Sequence, residues 1–528
     1  MKNIQRYIIK VWGCFLFFSI LLSSCNKNFL DTAPIGIYSD ANVWQSLDLS
    51  KAYLNNIYFD MPNGFQQGGG FNWTDGWESY DHLSDDVVCA VSWLSLSNIT
   101  NGSISPSNSP LNIRWGIHYA TIRKTNIFLQ NVDNIPTDVT VKNQLKGEAQ
   151  FIRALTYFSL VQLFGGVPLI TVPQSISDDL TVKRNTRDEC INFVLKELDD
   201  AYNNIQAVAY QDGANYGKIS KSAALGLKAR ILLHTGKWKE AATTAKAVID
   251  LGIFSLSTKG YQNLFLKSGD PVEIILPKLL SRTNQTVVNY FQEAQQPLYL
   301  AASLGVTCPT KNLMDDYEMT DGNLPAVSPL FNAADPFKNR DSRIYASIMY
   351  QGSPWTSNPS IDFSKNTTPT GANMKKFCDQ TVPLDYMGHD MCFPVLRYAE
   401  VLINYAEAQN EDVGPDASVY SAINSIRARA KQPPLPSGLS QAQMRDKIRH
   451  EKHIEMAFES QRYFDLIRWG LAPTVLNAPL MGYNWTSATN YTIVTAWNRV
   501  FNPTRDIYFP IPQPEIDKNK NLVQNPGW

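Results

Sequence analysis

Three groups of residues in this chain have types and spacings that could do chemistry. The first is His450-Glu451-Lys452-His453. Two histidines with a glutamate between them are the ligands and base of zinc hydrolases, but that chemistry needs the histidines at i and i+4 on one helix face. Here they stand at i and i+3 with no third ligand evident, so no metal is expected. Glu451, Glu455 and Glu459 recur every four residues, which is unfavourable on a helix unless cations lie close. Arg449, Lys452 and Arg462 can supply them, and the reading is an ion-pair network that holds helices together. The second group is Asp81, Asp85 and Asp86, which lie beside aromatics in a loop. Glycoside hydrolysis needs two carboxylates about 5 Å or roughly 6.5–9.5 Å apart across a sugar bond, a distance that sequence cannot supply. No Walker loop, no G-x-G-x-x-G and no G-x-S-x-G elbow is present. Nothing here reads as an active site.

The third group is aromatic. Gly68-Gly69-Gly70 leads into Phe71-Asn72-Trp73-Thr74-Asp75-Gly76-Trp77-Glu78-Ser79-Tyr80-Asp81, and Trp93 and Asn98 follow. Sugars present flat C–H faces ringed by hydroxyls, so a protein that grips them offers planar rings flanked by Asp, Asn, Gln or Arg. The expected platform is Trp73, Trp77, Tyr80 and Trp93, joined by Tyr299 and Trp355 from a second irregular region that also carries Phe291 and Tyr350. Asp81 and Asn98 are expected to supply polar contacts. Part of this aromatic set is expected instead to pin long loops to the body.

The elements that must position such a platform follow from the rest of the chain. Lys2, Arg6 and Lys10 precede an uncharged run from Val11 to Leu22, and Ser23-Ser24-Cys25 ends it. That is the pattern of a bacterial lipoprotein signal, so residues 1–24 are expected to be removed and Cys25 to be lipidated. A twelve-residue apolar run is too short for a membrane-spanning helix, which needs about 20 residues. Residues 25–34 then read as a tether. Of the 528 residues, 47 are Lys or Arg and 48 are Asp or Glu, so no global field favours nucleic acid. The remaining cysteines, Cys89, Cys190, Cys308, Cys378 and Cys392, are odd in number and show no zinc-ligand spacing.

Helical periodicity dominates residues 35–528. Phe151, Ala154, Leu155, Phe158 and Val161 share one face, and Gly165-Gly166-Val167-Pro168 stops that helix. In 223–252, Leu225, Ala229 and Leu232 line one helix, Gly236 and Trp238 make a turn, and Ala241, Ala245 and Val248 line a second. This resembles a tetratricopeptide repeat, with Lys228 where the repeat prefers an apolar residue. Further helix pairs are expected at 113–131 with 143–164 and at 394–411 with 417–430. Helix is expected again over 439–469. The repeats therefore occupy about 113–254 and 394–470. Regions 60–112 and 255–392 are rich in Gly, Pro, Asn, Ser and Thr, and long irregular stretches of this kind tend to be functional. The final Tyr508-Phe509-Pro510-Ile511-Pro512-Gln513-Pro514 is too proline-rich for a helix or a central strand.

Several motifs taken together resemble the SusD/RagB family of surface glycan-binding lipoproteins, which partner TonB-dependent outer-membrane transporters. They are 147–155 with Leu163-Phe164-Gly165-Gly166-Val167-Pro168-Leu169, Arg397-Tyr398-Ala399-Glu400-Val401 with Tyr405-Ala406-Glu407-Ala408, Arg462-Tyr463-Phe464-Asp465-Leu466-Ile467-Arg468-Trp469-Gly470, and the ending from Phe509-Pro510 to Asn525-Pro526-Gly527. Asp316-Tyr317-Glu318-Met319 with Asp321-Gly322, followed by Arg340-Asp341-Ser342-Arg343, also resembles the family. The resemblance implies a mainly α fold: a tetratricopeptide-like superhelix of four units with a loop-rich region that binds oligosaccharide without cleaving it. It further implies a neutral oligosaccharide or polysaccharide as ligand, a SusC-like transporter as partner, outer-membrane attachment facing the exterior, and no cofactor. Arg153, Glu407 and Arg468 belong to shared motifs and are read as scaffold. Asn26-Lys27-Asn28 lacks the acidic cluster associated with surface export. Two other classes stay open on the residues alone: a lipid-anchored glycoside hydrolase using Asp81 and Asp86, and a protein-interaction scaffold whose aromatics are all structural.

Overall fold

The structure is a computed structural model that describes residues 40–61, 80–92, 96–280, 304–355, 360–365, 368–381 and 390–528. Its longer helices are α1 (Leu47–Phe59), α2 (Asn112–Asn131), α3 (Val139–Phe164), α4 (Arg187–Asn204), α5 (Lys221–His234), α6 (Trp238–Ile249), α7 (Tyr398–Val413), α8 (Ala417–Arg429), α9 (Gln441–Glu455) and α10 (Arg462–Arg468). Each of α2 to α7 packs on the next, and α7 also carries α8 and α9. The superhelix therefore runs unbroken from α6 to α7 although 148 residues, 250–397, separate them in sequence. The fold is mainly α and tetratricopeptide-like, as expected.

The apolar stripe of α3 is so broad because the helix is enclosed on nearly every side. Every residue from Gly147 to Phe158 is buried. Gly147 permits this, because a Cβ there would lie 2.7 Å from the Ile205 side chain and 3.0 Å from the Ala201 carbonyl at the end of α4. Helix α4 is an addition to the expected elements, and Thr186 and Glu189 form a capping box at its start. Between α5 and α6 the turn belongs to Gly236, at φ +71°, while Trp238 is the first residue of α6 and lies against that glycine. Lys228, the departure from the repeat pattern, is held by Asp199 at 2.5 Å.

Among the described residues the strands form four two-stranded antiparallel ladders: β1 (Val87–Cys89) with β3 (Thr307–Pro309), β2 (Ile274–Leu280) with β6 (Met391–Arg397), β4 (Ile348–Met349) with β5 (Asn373–Met374), and β7 (Leu480–Trp485) with β8 (Tyr491–Trp497). The β2–β6 register is irregular around Leu276 and Pro277, where Pro277 faces Pro394 and neither can donate a main-chain hydrogen bond. This ladder shortens the helix expected from residue 394, because β6 holds the chain extended up to Arg397. The helix expected over 439–469 is likewise interrupted. It ends at Glu455, and Phe458 and Ser460 take φ values of 65° and 60° before α10 begins. The expectation for the last proline-rich segment is corrected at Gln513, where a short helix, Gln513–Lys518, opens with Pro514 in its first turn. Proline is tolerated there because first-turn amides have no partner within the helix.

The break after α9 serves a buried ion network. Arg397, fully buried, donates to Glu455 at 2.5 Å, Glu459 at 2.7 Å and Glu273 at 3.1 Å. Arg343 joins Glu451 to Glu455, Arg427 joins Glu451 to Glu318, and Lys376 completes Glu459. Arg429 joins Glu273 to Glu455. The acidic stripe of α9 is thus neutralised from other elements. Of the cations expected to do so, Lys452 pairs with Asp465, Arg462 with Asp85, and Arg449 lies over Trp469. A network of this kind locks the loop-rich region to the repeats, since an uncompensated charge left inside would be costly.

Candidate functional site

The loop-rich region is framed by the ends of two ladders. At the open end of β2–β6, Leu280 faces Met391, and at that of β1–β3, Cys89 faces Thr307. Segments 281–303 and 382–389 adjoin the first of these ends, while 93–95 and the far end of 281–303 adjoin the second. A third stem joins the first of these ends through Lys278. Among the described residues its ammonium has no ion-pair partner, and it donates to the carbonyls of Phe59 at 2.5 Å, Met61 at 3.2 Å and Tyr58 at 3.4 Å. These carbonyls lie in the last turn of α1 and just beyond it, where helix carbonyls run out of amide partners; that of Tyr58 also accepts the Met61 amide at 3.1 Å. Burial lowers the pKa of Lys278 to about 8, with Asp60 opposing the shift. Segment 62–79 therefore starts beside the strand end from which 281–303 departs. Trp73, Trp77, Trp93, Tyr299 and Phe291 lie on these segments, outside the described residues, as does Cys25.

The described candidates divide into two kinds. Tyr80 is half-buried and meets Phe464 edge-on, with ring centroids 5.4 Å apart. It borders a small cleft with Phe158, Gln162, Phe393 and Gln461. Asn98 is half-buried in the short helix Leu96–Thr100, and its carbonyl receives the amide of Ser103 at 2.9 Å. Asp81 and Trp355 depart from expectation. Asp81 is 1 % exposed, and its carboxylate accepts from the amide of Ser460 at 3.0 and 3.2 Å. It braces the left-handed turn that separates α9 from α10. Trp355 is 2 % exposed, so its ring is packed inside and offers no open face. Tyr350, from the same region, stacks on Phe337 with centroids 4.5 Å apart.

The other loop carboxylates are also committed. Asp85 accepts from Arg462 at 3.0 and 3.1 Å. Burial raises its pKa, but the guanidinium outweighs burial and holds the carboxyl below its ordinary value. Asp86 receives His453 Nε2 at 2.6 Å, and the other ring nitrogen of His453 lies 3.1 Å from Asp316. Burial and Arg462 act to lower the imidazole pKa, yet Asp86 and Asp316 raise it to about 9. An imidazolium donating to two carboxylates fits this arrangement. Asp85, Asp86 and His453 bring ligand-type atoms within 4.8 Å of one another. A metal ion there would displace both imidazolium bonds and sit against Arg462, so these residues are better fitted to one another than to a metal. The expected scaffold roles agree with the geometry: Arg153 pairs with Glu197 at 2.7 Å, and Arg468 with Glu407 at 2.6 Å.

Comparison with known proteins gives a consistent set of likenesses. Residues 273–528 match the SusD family model, and residues 29–233 match a model described as starch-binding and associating with the outer membrane. A SusD-like protein of Formosa agariphila is 24 % identical over 88 % of this chain and 91 % of its own length. The starch-binding protein SusD of Bacteroides thetaiotaomicron is 25 % identical, covering 83 % of each chain. A crystal structure of a SusD-like protein from Bacteroides fragilis superimposes with a TM-score of 0.81 at 26 % identity, over 93 % of this chain and 99 % of that one.

Proposed function

The chain belongs to the SusD/RagB family, and we propose on that premise that it is a surface-exposed outer-membrane lipoprotein that captures oligosaccharide. In this reading Cys25 carries the lipid anchor, and the protein acts as a hinged lid that hands its glycan to a SusC-like TonB-dependent transporter. The ligand is a neutral oligosaccharide or polysaccharide, held without catalysis. Trp73, Trp77, Trp93 and Tyr299 supply the stacking faces, with Tyr80 as a further ring and Asn98 as a polar contact.

The observation that carries this reading is the meeting of the loop stems. Residues 61, 280 and 391 are tied together by Lys278 and the β2–β6 register, so the segments 62–79 and 281–303, which carry Trp73, Trp77 and Tyr299, spring from one neighbourhood. Binding residues on loops held by a rigid scaffold are a common arrangement. The engagement of Asp81, Asp85 and Asp86 by Ser460, Arg462 and His453 favours binding over hydrolysis, because a glycosidase needs its carboxylates free to face the sugar. The starch-binding description of one family model and the name of the Bacteroides thetaiotaomicron relative support carbohydrate as the ligand class.

The test is isothermal titration of purified protein against a panel of neutral glycans, with a parallel assay for new reducing ends. Binding in the micromolar to millimolar range, about −8 to −4 kcal/mol, without product is expected. Product formed by the parent and lost in Asp86→Ala would replace this reading with a hydrolase.

A further inference from the structure

A cleft of about 810 Å³ is lined by none of the loop-stem residues. It is built from two of the motifs that the sequence displays without an assigned task, the Gly165-Gly166 stop of α3 and the segment ending in Asn525-Pro526. The walls are held by Arg184, which donates to the carbonyls of Phe164 at 2.8 Å and Val523 at 2.9 Å, and also to the Gly166 carbonyl and the Asn525 amide oxygen. Gly166 allows the close approach, since a Cβ would sit 2.1 Å from the Asn185 carbonyl oxygen.

The charge of this cleft is one-sided. Lys183, Arg184, Arg187, Arg505 and Lys520 line it, and no Asp or Glu does. Elsewhere in the protein, buried cations such as Arg343 and Arg397 meet carboxylates directly. Here, among the described residues, only Arg505 does so at hydrogen-bond distance, bonding Asp506 at 2.6 Å while it stacks on Trp528. The four oxygens around Arg184 are neutral, and Lys183 makes no ion pair among the described residues. Arg187 and Lys520 lie 3.6 and 3.7 Å from Asp188 and Asp517, whose side chains are largely exposed to water. Such solvent-screened pairs are weak, and an incoming anion can compete with them.

We propose that this cleft is a second saccharide site, selective for oligosaccharides bearing carboxylate or sulfate groups. Its size is within the roughly 300–1,000 Å³ of small-molecule sites. Tyr508 and Pro503 offer surfaces for C–H faces, and Thr504 and Asn521 stand beside the cations as hydroxyl partners. A peptide is a poorer fit. None of the lining residues belongs to a β-strand, so there is no strand edge to which an extended peptide could add. The proposal goes beyond the platform reading and does not require it.

The experiment is titration of the full chain with four probes: oligogalacturonate, a sulfated carrageenan tetrasaccharide, neutral maltotetraose, and an acidic Glu-Leu repeat peptide. Each is run on the parent, on Lys183→Gln/Arg187→Gln/Lys520→Gln, and on Trp73→Ala/Trp77→Ala. At least one acidic saccharide is expected to bind, to weaken with added salt, and to lose on the order of tenfold in affinity in the triple variant. Its affinity should be unchanged in the tryptophan variant. Lys183→Gln alone, with its side chain at the surface, provides a smaller loss in the same direction if the triple variant folds poorly. Acidic saccharides that bind no better than maltotetraose, bind equally to the triple variant, or depend on Trp73 and Trp77 instead would overturn the proposal. Binding of the peptide alone would overturn it too. A platform failure appears separately, as loss of neutral-glycan binding in the parent.

Discussion

Arg397 Nη1 and Glu455 Oε1 lie 2.5 Å apart, and neither side chain has exposed surface. One residue ends strand β6 and the other ends helix α9, so this pair joins the loop-rich region to the last repeat helices. Arg397→Met leaves Glu455 and Glu459 with fewer partners in a dry interior. The expected loss is about 3–5 kcal/mol of stability, read as a fall in the denaturant midpoint. A loss below about 1 kcal/mol would mean that Arg343, Lys376 and Arg429 suffice without it.

The His453 bridge should be visible as a pH dependence. Its folded pKa, about 9, is raised above the ordinary value of 6.5. Its contribution is therefore fully present below about pH 6.5 and disappears as pH rises through 9. Lys278 and Lys376, depressed to about 8 by burial, act oppositely above pH 8, but they are the same in parent and variant. The stability difference between parent and His453→Gln should thus shrink steadily from pH 6.5 to 9.5, measured by urea titration. A gap that does not change with pH would contradict the imidazolium assignment between Asp86 and Asp316.

Asp81 is assigned a structural task by its two bonds to the Ser460 amide. Asp81→Ala should cost about 1–3 kcal/mol, the penalty for a buried donor left without its acceptor. Its glycan affinity, measured well below the melting temperature, should stay within about twofold of the parent, a difference of well under 1.4 kcal/mol. Affinity lost at unchanged stability would return Asp81 to the ligand.

The division between what the sequence discloses and what it hides has a physical basis. The helices α3, α5, α6, α7 and α8 are legible because one face of each must be apolar, and that requirement prints a 3.6-residue period. Helix α4 carries an equally plain local signal in its Thr186-x-x-Glu189 box and its Cys190, Ile191, Val194 and Leu198 stripe. The end of α9 is not legible. The chain breaks there because Glu455 and Glu459 must reach Arg397, a partner some sixty residues away in sequence, and no local pattern records that demand. The cations that neutralise Glu451, Glu455 and Glu459 are hidden for the same reason, since Arg343, Lys376, Arg397 and Arg429 all lie outside α9. Asp81 and Trp355 resemble sugar-binding residues in type, and only their burial distinguishes a brace and a packed ring from an open platform.

Attachment rests on Cys25. Cys25→Ala should leave the protein unprocessed or free of the outer membrane, as read by cell fractionation and immunoblotting. More than one acyl chain is needed for stable anchoring, so loss of the thiol should release most of the protein. Equal retention of the variant in the outer membrane would assign attachment elsewhere.

The most direct test of the account is a paired measurement of melting temperature and neutral-glycan affinity for Trp73→Ala, Trp77→Ala, Trp93→Ala and Tyr299→Ala, with Trp355→Ala as the packed control. Trp355→Ala should lower stability by about 3–5 kcal/mol, the cost of truncating a large buried ring. The four loop variants should keep their melting temperatures while at least two of them lose tenfold or more in affinity, about 1.4 kcal/mol. Loop variants that all melt early, like Trp355→Ala, and retain full affinity once folded would contradict the platform.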